Sequence, residues 1–231
     1  MLSSGLSPKR EDLLIKDLSK LHGKIGILGG SHDPVHLDHE ALAHAVKAQH
    51  GLNALVFLPT PHNPLKGQSL FSEKQRLEML LGVAAANSNF YVCSLEIDNY
   101  IEGKKTYTVD TLDLLNQNKN PSAELYFILG ADCLPELPLW KDFHDLFIKA
   151  KIIPVARGET KEAALQEIKT AGQLNAGEIE ALNDNWVNFK SIGHTPISST
   201  AVRERLKNGE IPFELLPPSV AEYLKNTYDK A

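Results

Sequence analysis

The sequence contains few cysteines, no long apolar run and no large excess of charge. Cys93 and Cys133 are too few for a disulfide framework and are not spaced as metal ligands, so we expect two reduced thiols. No apolar stretch approaches the ~20 residues that span a bilayer, and the N-terminus has no apolar signal core. The net charge of −5 argues against a general polyanion binder. We therefore expect a cytoplasmic protein with no nucleic-acid or membrane partner.

Short apolar runs alternate with helical patterns along the 231 residues. The predicted strands are residues 25–28, 54–58, 90–95, 124–129 and 151–156. The predicted helices are residues 40–50, 72–86, 108–118 and 141–149. Strands that alternate with helices favour a parallel sheet that is covered on both faces. The sequence therefore predicts an α/β fold with a Rossmann-like parallel sheet and helices on both faces.

The two ends of the chain and one internal segment have different patterns. Residues 8–22 space Leu14, Leu18 and Leu21 like one face of a helix, so residues 1–23 are predicted to form a helical extension. Residues 24–231 are predicted to form a single domain. Within it, residues 158–185 are polar and predict a peripheral excursion, and residues 198–231 predict C-terminal helices, the last of which starts at Pro217-Pro218.

The segment from Gly29 to His39 follows an apolar run and precedes a helical pattern. The glycines let a backbone approach a ligand, and a new helix offers free N–H groups and a positive dipole end. His36 and His39 lie three residues apart and can share one face. This arrangement indicates a site for the phosphates of a nucleoside triphosphate. A metal site on His32, His36 and His39 is one alternative, and ordinary turn histidines are the other.

A second element suited to anions lies far along the chain. Ser198, Ser199 and Thr200 can cap a helix and direct its first N–H groups outward, and Arg203 shares their face. A guanidinium beside a helix N-terminus is unfavourable unless an anion bridges the two. The sequence therefore favours a phosphate site here over simple capping.

Four further motifs follow predicted strands or open predicted helices. Lys66 ends a proline-rich loop, and Tyr107-Thr108 opens a helix. An acid such as Asp132, directly after a strand, often hydrogen-bonds ribose hydroxyls. Trp140 is compatible with stacking on an aromatic base and equally with a place in the core.

Taken in order, these motifs resemble the nicotinate and nicotinamide mononucleotide adenylyltransferases, with the bacterial nicotinate-mononucleotide branch as the nearest match. The resemblance runs from about residue 24 to residue 223. The glycine–histidine motif is shared by the wider nucleotidyltransferase superfamily, whereas Gly-Ala-Asp with Trp140 and Ile-Ser-Ser-Thr-x-x-Arg narrow it to this family. Three positions depart from the family pattern: Asp38 replaces the usual Gly of His-x-Gly-His, His32 replaces Phe, and Leu65 replaces a His.

The resemblance implies a fold of the nucleotidyltransferase type and transfer of AMP from ATP to nicotinate mononucleotide, with Mg²⁺ arriving on ATP. It implies that His36, His39 and Arg203 are catalytic. The implied ATP-binding residues are Gly29, Gly30, Ser31, Asp132, Arg157, Ser198, Ser199 and Thr200. The implied mononucleotide-binding residues are Lys66, Tyr107, Thr108 and Trp140. No metal-binding residue of the protein is implied, and a homo-oligomer is compatible with the sequence.

Besides a metal-binding protein built on His32, His36 and His39, two other functions remain open. One is a related nucleotidyltransferase with another phosphorylated acceptor. The other is a nucleotide-binding regulator that lost catalysis through the changes at His32 and Asp38. We expect the Asp38 side chain to point away from the phosphates and to cap a helix that starts at residue 40.

Overall fold

The computed structural model describes residues 10–61, 69–102, 104–158, 160–192 and 196–228. Within these ranges the strands are β1 (Leu14–Ile15), β2 (Gly23–Gly30), β3 (Ala54–Pro59), β4 (Phe90–Cys93), β5 (Ala123–Gly130), β6 (Lys151–Ala156) and β7 (Val187–Asn188). The α-helices are α1 (Arg10–Leu13), α2 (Leu37–His50), α3 (Glu73–Ala86), α4 (Leu95–Asp98), α5 (Thr108–Gln117), α6 (Phe143–Lys149), α7 (Lys161–Ala171), α8 (Ala176–Asp184), α9 (Ser199–Lys207) and α10 (Pro218–Thr227). Ala131–Leu139 and Phe213–Leu215 form 3₁₀ segments.

The described strands form one sheet, in the order β1-β4-β3-β2-β5-β6-β7, in which all neighbours are parallel. Strand β2 has β3 on one side and β5 on the other. From β2 the chain builds outward through β3 and β4, and then crosses back to continue at β5. Ligands of such sheets bind beyond the carboxyl ends of the strands, where the strand order reverses. The end of β2 therefore lies where a ligand site is expected.

Side chains of the central strands alternate between two hydrophobic cores, one on each face of the sheet. Along β3, Leu55 and Phe57 belong to one core, whereas Val56 and Leu58 belong to the other. Helices α2, α3, α9 and α10 cover the first face, and α5 to α8 cover the second. This arrangement confirms the predicted parallel sheet with helices on both faces. The predicted strands and helices of the sheet region are all present, and their ends differ by three residues at most.

The helical prediction for residues 8–22 is wrong beyond Leu13. Helix α1 is short, and β1 pairs with β4 at the edge of the sheet. Leu18 and Leu21, whose spacing suggested a helix face, are buried in the second core. A few apolar residues at helical spacing do not distinguish a helix from an edge strand and a turn, because both bury them.

The segment over residues 158–185 is less peripheral than its polar composition indicates. Helices α7 and α8 bury Leu165, Ile168 and Leu182 in the second core, and the chain then adds β7 to the sheet. The division of the chain into an extension over residues 1–23 and one domain over residues 24–231 stays a prediction.

Two observations relate to the expectations that the composition raised, namely no membrane-spanning segment and reduced thiols. Among the described residues, no helix combines the length and apolar character needed to cross a membrane. Cys93 and Cys133 form no disulfide, and burial raises the pKa of Cys93 to about 11.

Candidate functional site

The turn after β2 carries the first predicted phosphate motif, and its backbone explains the glycines. Gly29 and Gly30 pair with Leu58 and Pro59 of β3. Gly30 has a φ of +158°, which side-chain-bearing residues rarely adopt, and a Cβ there would lie 3.3 Å from His32 Nε2. His32 itself has a φ of +45°, an uncommon conformation for a residue other than glycine. The backbone therefore bends tightly at the carboxyl edge of the sheet.

Three imidazole rings pack together where α2 begins. His36 is the N-cap residue, and its ring centroid lies 3.8 Å from that of His39. The buried His32 ring lies edge-on to both His39 and Phe57, at 4.9 Å and 5.6 Å between centroids. The backbone N–H of His36 donates to Nδ1 of His39 at 3.3 Å. This bond assigns the proton of a neutral His39 ring to Nε2, which can donate to a phosphate oxygen.

The ring cluster also bears on the metal alternative. Within the described ranges, no three His, Cys, Asp or Glu side chains are arranged to hold a metal ion. The interpretation of His36 and His39 as phosphate donors stays a prediction.

His36 is almost completely buried, with 1% of its surface exposed. Burial, and then the nearby charge of Arg157, lower the pKa of His36 to about 3. His36 is therefore neutral near pH 7, and it can offer a ring N–H but no positive charge. Among the predicted catalytic and ATP-binding residues in the described ranges, the cationic side chains are Arg157 and Arg203.

The low pKa of His36 predicts a pH dependence of folding stability. The unfolded ring has a pKa of 6.5, so between this value and the folded pKa the unfolded chain binds one more proton, and stability falls as the pH falls. In His36→Asn no ring titrates at this position, and asparagine is a residue favoured at N-caps. We therefore expect the variant to lose this pH dependence, whose slope is about 1.4 kcal/mol of unfolding free energy per pH unit. Urea unfolding of both proteins from about pH 7.5 to about pH 4.5 measures this slope. A stability difference that stays constant over this range would contradict the prediction.

The second predicted phosphate element docks directly on the first. Helix α9 begins after Ser198, whose Oγ accepts a hydrogen bond from the Ala201 N–H at 3.2 Å, which confirms the predicted cap. Ser199 Oγ donates to the carbonyl of Pro34 at 3.0 Å, although 165 residues separate the two. The fold therefore places the first turn of α9 against the turn after β2.

Arg203 also contacts this turn. Its Nη1 donates to the carbonyl of Asp33 at 2.7 Å and lies 3.8 Å from the Asp33 carboxylate, while Nη2 donates to Thr200 Oγ1 at 3.0 Å. Because Asp33 already supplies an oxygen partner and a nearby negative charge, the position of Arg203 does not by itself require a phosphate, and the phosphate site stays a prediction. Arg203 and the start of α9 nevertheless lie together beside the histidine-bearing turn.

Asp38 is turned toward the segment that precedes α9. His36, not Asp38, caps α2, so the prediction that Asp38 caps a helix from residue 40 is wrong. The buried Asp38 carboxylate accepts hydrogen bonds from Ser191 Oγ and from the backbone N–H groups of Ile192 and Ile197. These three donors lie outside the histidine-bearing turn, and the carboxylate still acts electrostatically on the His36 ring.

Strands β5 and β6 end near β2 and lead to two more predicted ATP-binding residues. Asp132 follows the end of β5, and a Cβ on Gly130 would lie 2.1 Å from its Oδ1. Gly130 is therefore required for the carboxylate to fold back over the strand end. Arg157 follows β6 directly, is exposed and acts electrostatically on His36. Roles for Asp132 at the ribose and Arg157 near the adenine stay predictions.

Two of the predicted mononucleotide residues, Tyr107 and Thr108, lie at the start of α5. Tyr107 is the N-cap of α5, and Thr108 is its first residue. Lys141, the neighbour of Trp140, contacts the Asp110 carboxylate at 2.7 Å and lies 5.1 Å from the centroid of the Tyr107 ring. Trp140 itself is half-buried and packs against the second core. The structure therefore brings Lys141, the chain neighbour of Trp140, to the N-terminus of α5.

Arg76 is a residue of the site region that the sequence analysis missed. It is 1% exposed, and its guanidinium donates to the carbonyls of Ser31, Thr60 and Pro61 at 2.6, 2.7 and 2.5 Å. Burial lowers the pKa of Arg76, while the nearby Asp33 carboxylate opposes this effect. Arg76 thus joins the turn after β2 to the chain that leaves β3.

Asp33 holds the segment that connects β3 to α3, at the end of the segment that lies next to α3. Its Oδ2 accepts the N–H of Leu70 and its Oδ1 the N–H of Phe71, both at 2.9 Å. Residues 62–68, which include the predicted mononucleotide ligand Lys66, lie between these anchors and outside the described residues.

The sequence of this chain is similar to known proteins over most of its length. Residues 27–205 match the family described as cytidylyltransferase-like. The chain is 34% identical over 213 residues to a probable nicotinate-nucleotide adenylyltransferase of Shewanella baltica (strain OS195), a match that covers 88% of this chain and 97% of the relative. It is 35% identical over 204 residues to a protein of the same description from Methylacidiphilum infernorum (isolate V4), covering 87% and 89%.

Solved structures share the fold. A Plasmodium falciparum nicotinic acid mononucleotide adenylyltransferase complexed with NaAD aligns with a TM-score of 0.65 at 19% identity, over 90% of this chain and 98% of the other. The same protein complexed with APC aligns with a TM-score of 0.64. At this identity the likeness supports the fold alone.

Proposed function

We propose that this chain, which belongs to the cytidylyltransferase-like family and within it to the nicotinate-nucleotide adenylyltransferases, transfers AMP from ATP to nicotinate mononucleotide. The phosphate of the mononucleotide attacks the α-phosphorus of ATP. A new P–O bond forms there, the bond to the β-phosphate bridge breaks, and the products are nicotinate adenine dinucleotide and pyrophosphate.

One structural observation supports this proposal above the others. Two elements that are each suited to phosphate meet at the topological switch point of the sheet: the turn from Gly29 to His39 and the start of α9. Ser199 and Arg203 bond directly to the carbonyls of Pro34 and Asp33 in that turn. Helix N-termini and guanidinium groups that converge on one place suit a triphosphate better than a single phosphate.

The chemistry requires no covalent intermediate, so positioning and charge stabilisation account for the rate. We assign ring N–H donation toward the ATP phosphates to His36 and His39. We assign the hydroxyls and N–H groups from Ser198 to Thr200, together with Arg203, to the leaving pyrophosphate. Gly29, Gly30 and Ser31 supply close backbone contact with the nucleotide.

The acceptor is assigned to the other part of the site, at the start of α5. Tyr107, Thr108 and Trp140 surround the pyridine ring in this proposal, and Lys66 reaches the acceptor's phosphate or carboxylate. Near Tyr107, the positive end of α5 and the proposed Lys66 favour an anionic group, whereas Lys141 is already paired with Asp110. These conditions suit the carboxylate of nicotinate better than an amide.

Mg²⁺ enters this proposal as part of the substrate, bound to the phosphates of ATP. The proposed phosphate donors are imidazole, hydroxyl, amide and guanidinium groups, which suit phosphate oxygens, whereas Mg²⁺ prefers carboxylate and water oxygens. We propose a cytoplasmic location, with which two cysteines that form no disulfide are consistent. A homo-oligomeric assembly stays a prediction.

Initial rates with the two natural acceptors test the proposed function. We expect kcat/KM to be about tenfold higher with nicotinate mononucleotide than with nicotinamide mononucleotide, because the proposed acceptor site combines Lys66 with the positive end of α5. Pyrophosphate release is followed with purified protein, saturating Mg-ATP and each mononucleotide. No release with either acceptor would overturn the proposal.

Trp140 provides a test of the acceptor site. We expect Trp140→Ala to weaken mononucleotide binding about tenfold and to change ATP binding little, because a stacked ring contributes about 1–3 kcal/mol at one site only. Trp140→Phe, which keeps an aromatic face, serves as the matched control. The dissociation constants of both ligands and the melting temperature decide the outcome. Equal weakening of both ligands with a large loss of melting temperature would show that Trp140 acts only in the core.

A further inference from the structure

Position 38 is where this chain departs most clearly from the pattern that it resembles. Asp38 lies on the histidine-bearing first turn of α2 and is 1% exposed. Its Oδ1 accepts from Ser191 Oγ at 2.9 Å and from the Ile192 N–H at 3.3 Å, and its Oδ2 accepts from the Ile197 N–H at 2.9 Å. A buried carboxylate is tolerated only when such donors compensate for its lost hydration. These contacts therefore explain how a carboxylate fits inside a phosphate-binding motif.

The donors of Asp38 lie on both sides of residues 193–195, which are outside the described ranges. The carboxylate thus holds the chain where it enters and where it leaves this short segment. Ile197 is followed at once by Ser198, the N-cap of α9. A single residue step separates the N–H bound by Asp38 from the start of the second phosphate element.

We propose that Asp38 is a positioning residue, which fixes the start of α9 against the first turn of α2 without touching the substrate. The proposal rests on the proposed function, because it concerns the same phosphate site. Side-chain contacts from Ser199 and Arg203 hold one part of α9, and Asp38 holds the backbone just before it. A glycine at position 38 would have no side-chain acceptor. The attachment of the segment before α9 to α2 therefore depends on Asp38 and on its side-chain donor Ser191.

The proposed role predicts which ligand should lose affinity when Asp38 is replaced. Misplacement of a catalytic element by about 1 Å can cost about 10²-fold in rate. Because α9 is assigned to the ATP phosphates, loss of Asp38 should weaken ATP binding while the acceptor site at α5 keeps its affinity. A general loss of structure would affect both ligands.

Two substitutions test the role of Asp38, and they disturb the contacts of its carboxylate to different extents. Asp38→Asn keeps the shape of the side chain but replaces one acceptor oxygen by an N–H donor that faces another donor. Ser191→Ala removes one donor and leaves the carboxylate buried with its backbone partners. Asp145→Asn, at an exposed position on α6, is the matched control. ATP affinity is measured by calorimetry without any mononucleotide, and the KM for nicotinate mononucleotide, or its Kd by calorimetry if there is no turnover, is measured separately.

We expect the Kd for ATP to rise about tenfold in Asp38→Asn and about threefold in Ser191→Ala, with the control unchanged. The KM for the mononucleotide should stay within about twofold. Asp38→Asn with unchanged ATP affinity, or with equal losses for both ligands, would overturn the proposal. Should that variant not fold, unchanged ATP affinity in Ser191→Ala would overturn it. If the wild type and the variants bind ATP as expected but no AMP reaches the mononucleotide, the proposed function fails while the role of Asp38 stands.

Discussion

Replacement of His39 by glutamine should lower kcat by about 10²–10³-fold, the usual cost of losing one donor to the transition state. Glutamine is chosen because it is favoured at the third position of a helix, where its side-chain oxygen can accept the His36 N–H that His39 Nδ1 accepts now. The substitution therefore removes the imidazole and keeps the helix cap. Steady-state pyrophosphate release at saturating Mg-ATP and nicotinate mononucleotide measures the effect.

His44→Gln is the matched control for this variant. His44 lies on the same helix, is exposed, and bonds to Asn87 away from the histidine pair. We expect a kcat within about twofold of the wild type for the control. A His39→Gln variant that retains a near-normal kcat would remove His39 from the catalytic residues.

Replacement of Arg76 by methionine should lower the free energy of unfolding by about 3 kcal/mol. Methionine fills much of the space but leaves the carbonyls of Ser31, Thr60 and Pro61 without their donor in a buried place. Arg76→Lys should fall between methionine and the wild type, because one ammonium cannot reproduce the planar fork of a guanidinium. Urea unfolding of the variants measures these differences.

Arg205→Met supplies the comparison for Arg76. Arg205 forms ion pairs with Glu210 and Glu214 at the surface, and such pairs contribute at most about 1 kcal/mol. If Arg76→Met were no more destabilising than Arg205→Met, the three carbonyl contacts would not hold the turn after β2 in place.

The sheet was predictable because its strands and helices carry strong and different periodicities. Apolar runs at residues 54–58 and 151–156 match β3 and β6 closely, since fully buried parallel strands are apolar throughout. The Ser198 cap was predictable from the hydroxyl residues before a helical pattern. The meeting of α9 with the turn after β2 was implied only by the resemblance, because no local pattern specifies a contact across 165 residues.

The buried polar residues were the least predictable part. Arg76 shares a helical stripe with Met79, Leu80 and Val83, so its spacing marked it as buried, but nothing in the sequence named the carbonyls that it binds. Asp38 resembles an N-cap in sequence, whereas its partners come from residues 191–197. The contact of Arg203 with Asp33 could likewise not be predicted from the sequence. Such contacts depend on tertiary geometry, which periodicity does not encode.

The fate of the α-phosphate of ATP tests the central claim most directly. The protein is incubated with Mg-ATP labelled at the α-phosphorus and with nicotinate mononucleotide, and the products are separated and identified by mass. The account predicts that the label moves into nicotinate adenine dinucleotide, with one unlabelled pyrophosphate released for each dinucleotide formed. Label that stays in ATP, or that appears in free AMP without dinucleotide, would contradict adenylyl transfer to this acceptor.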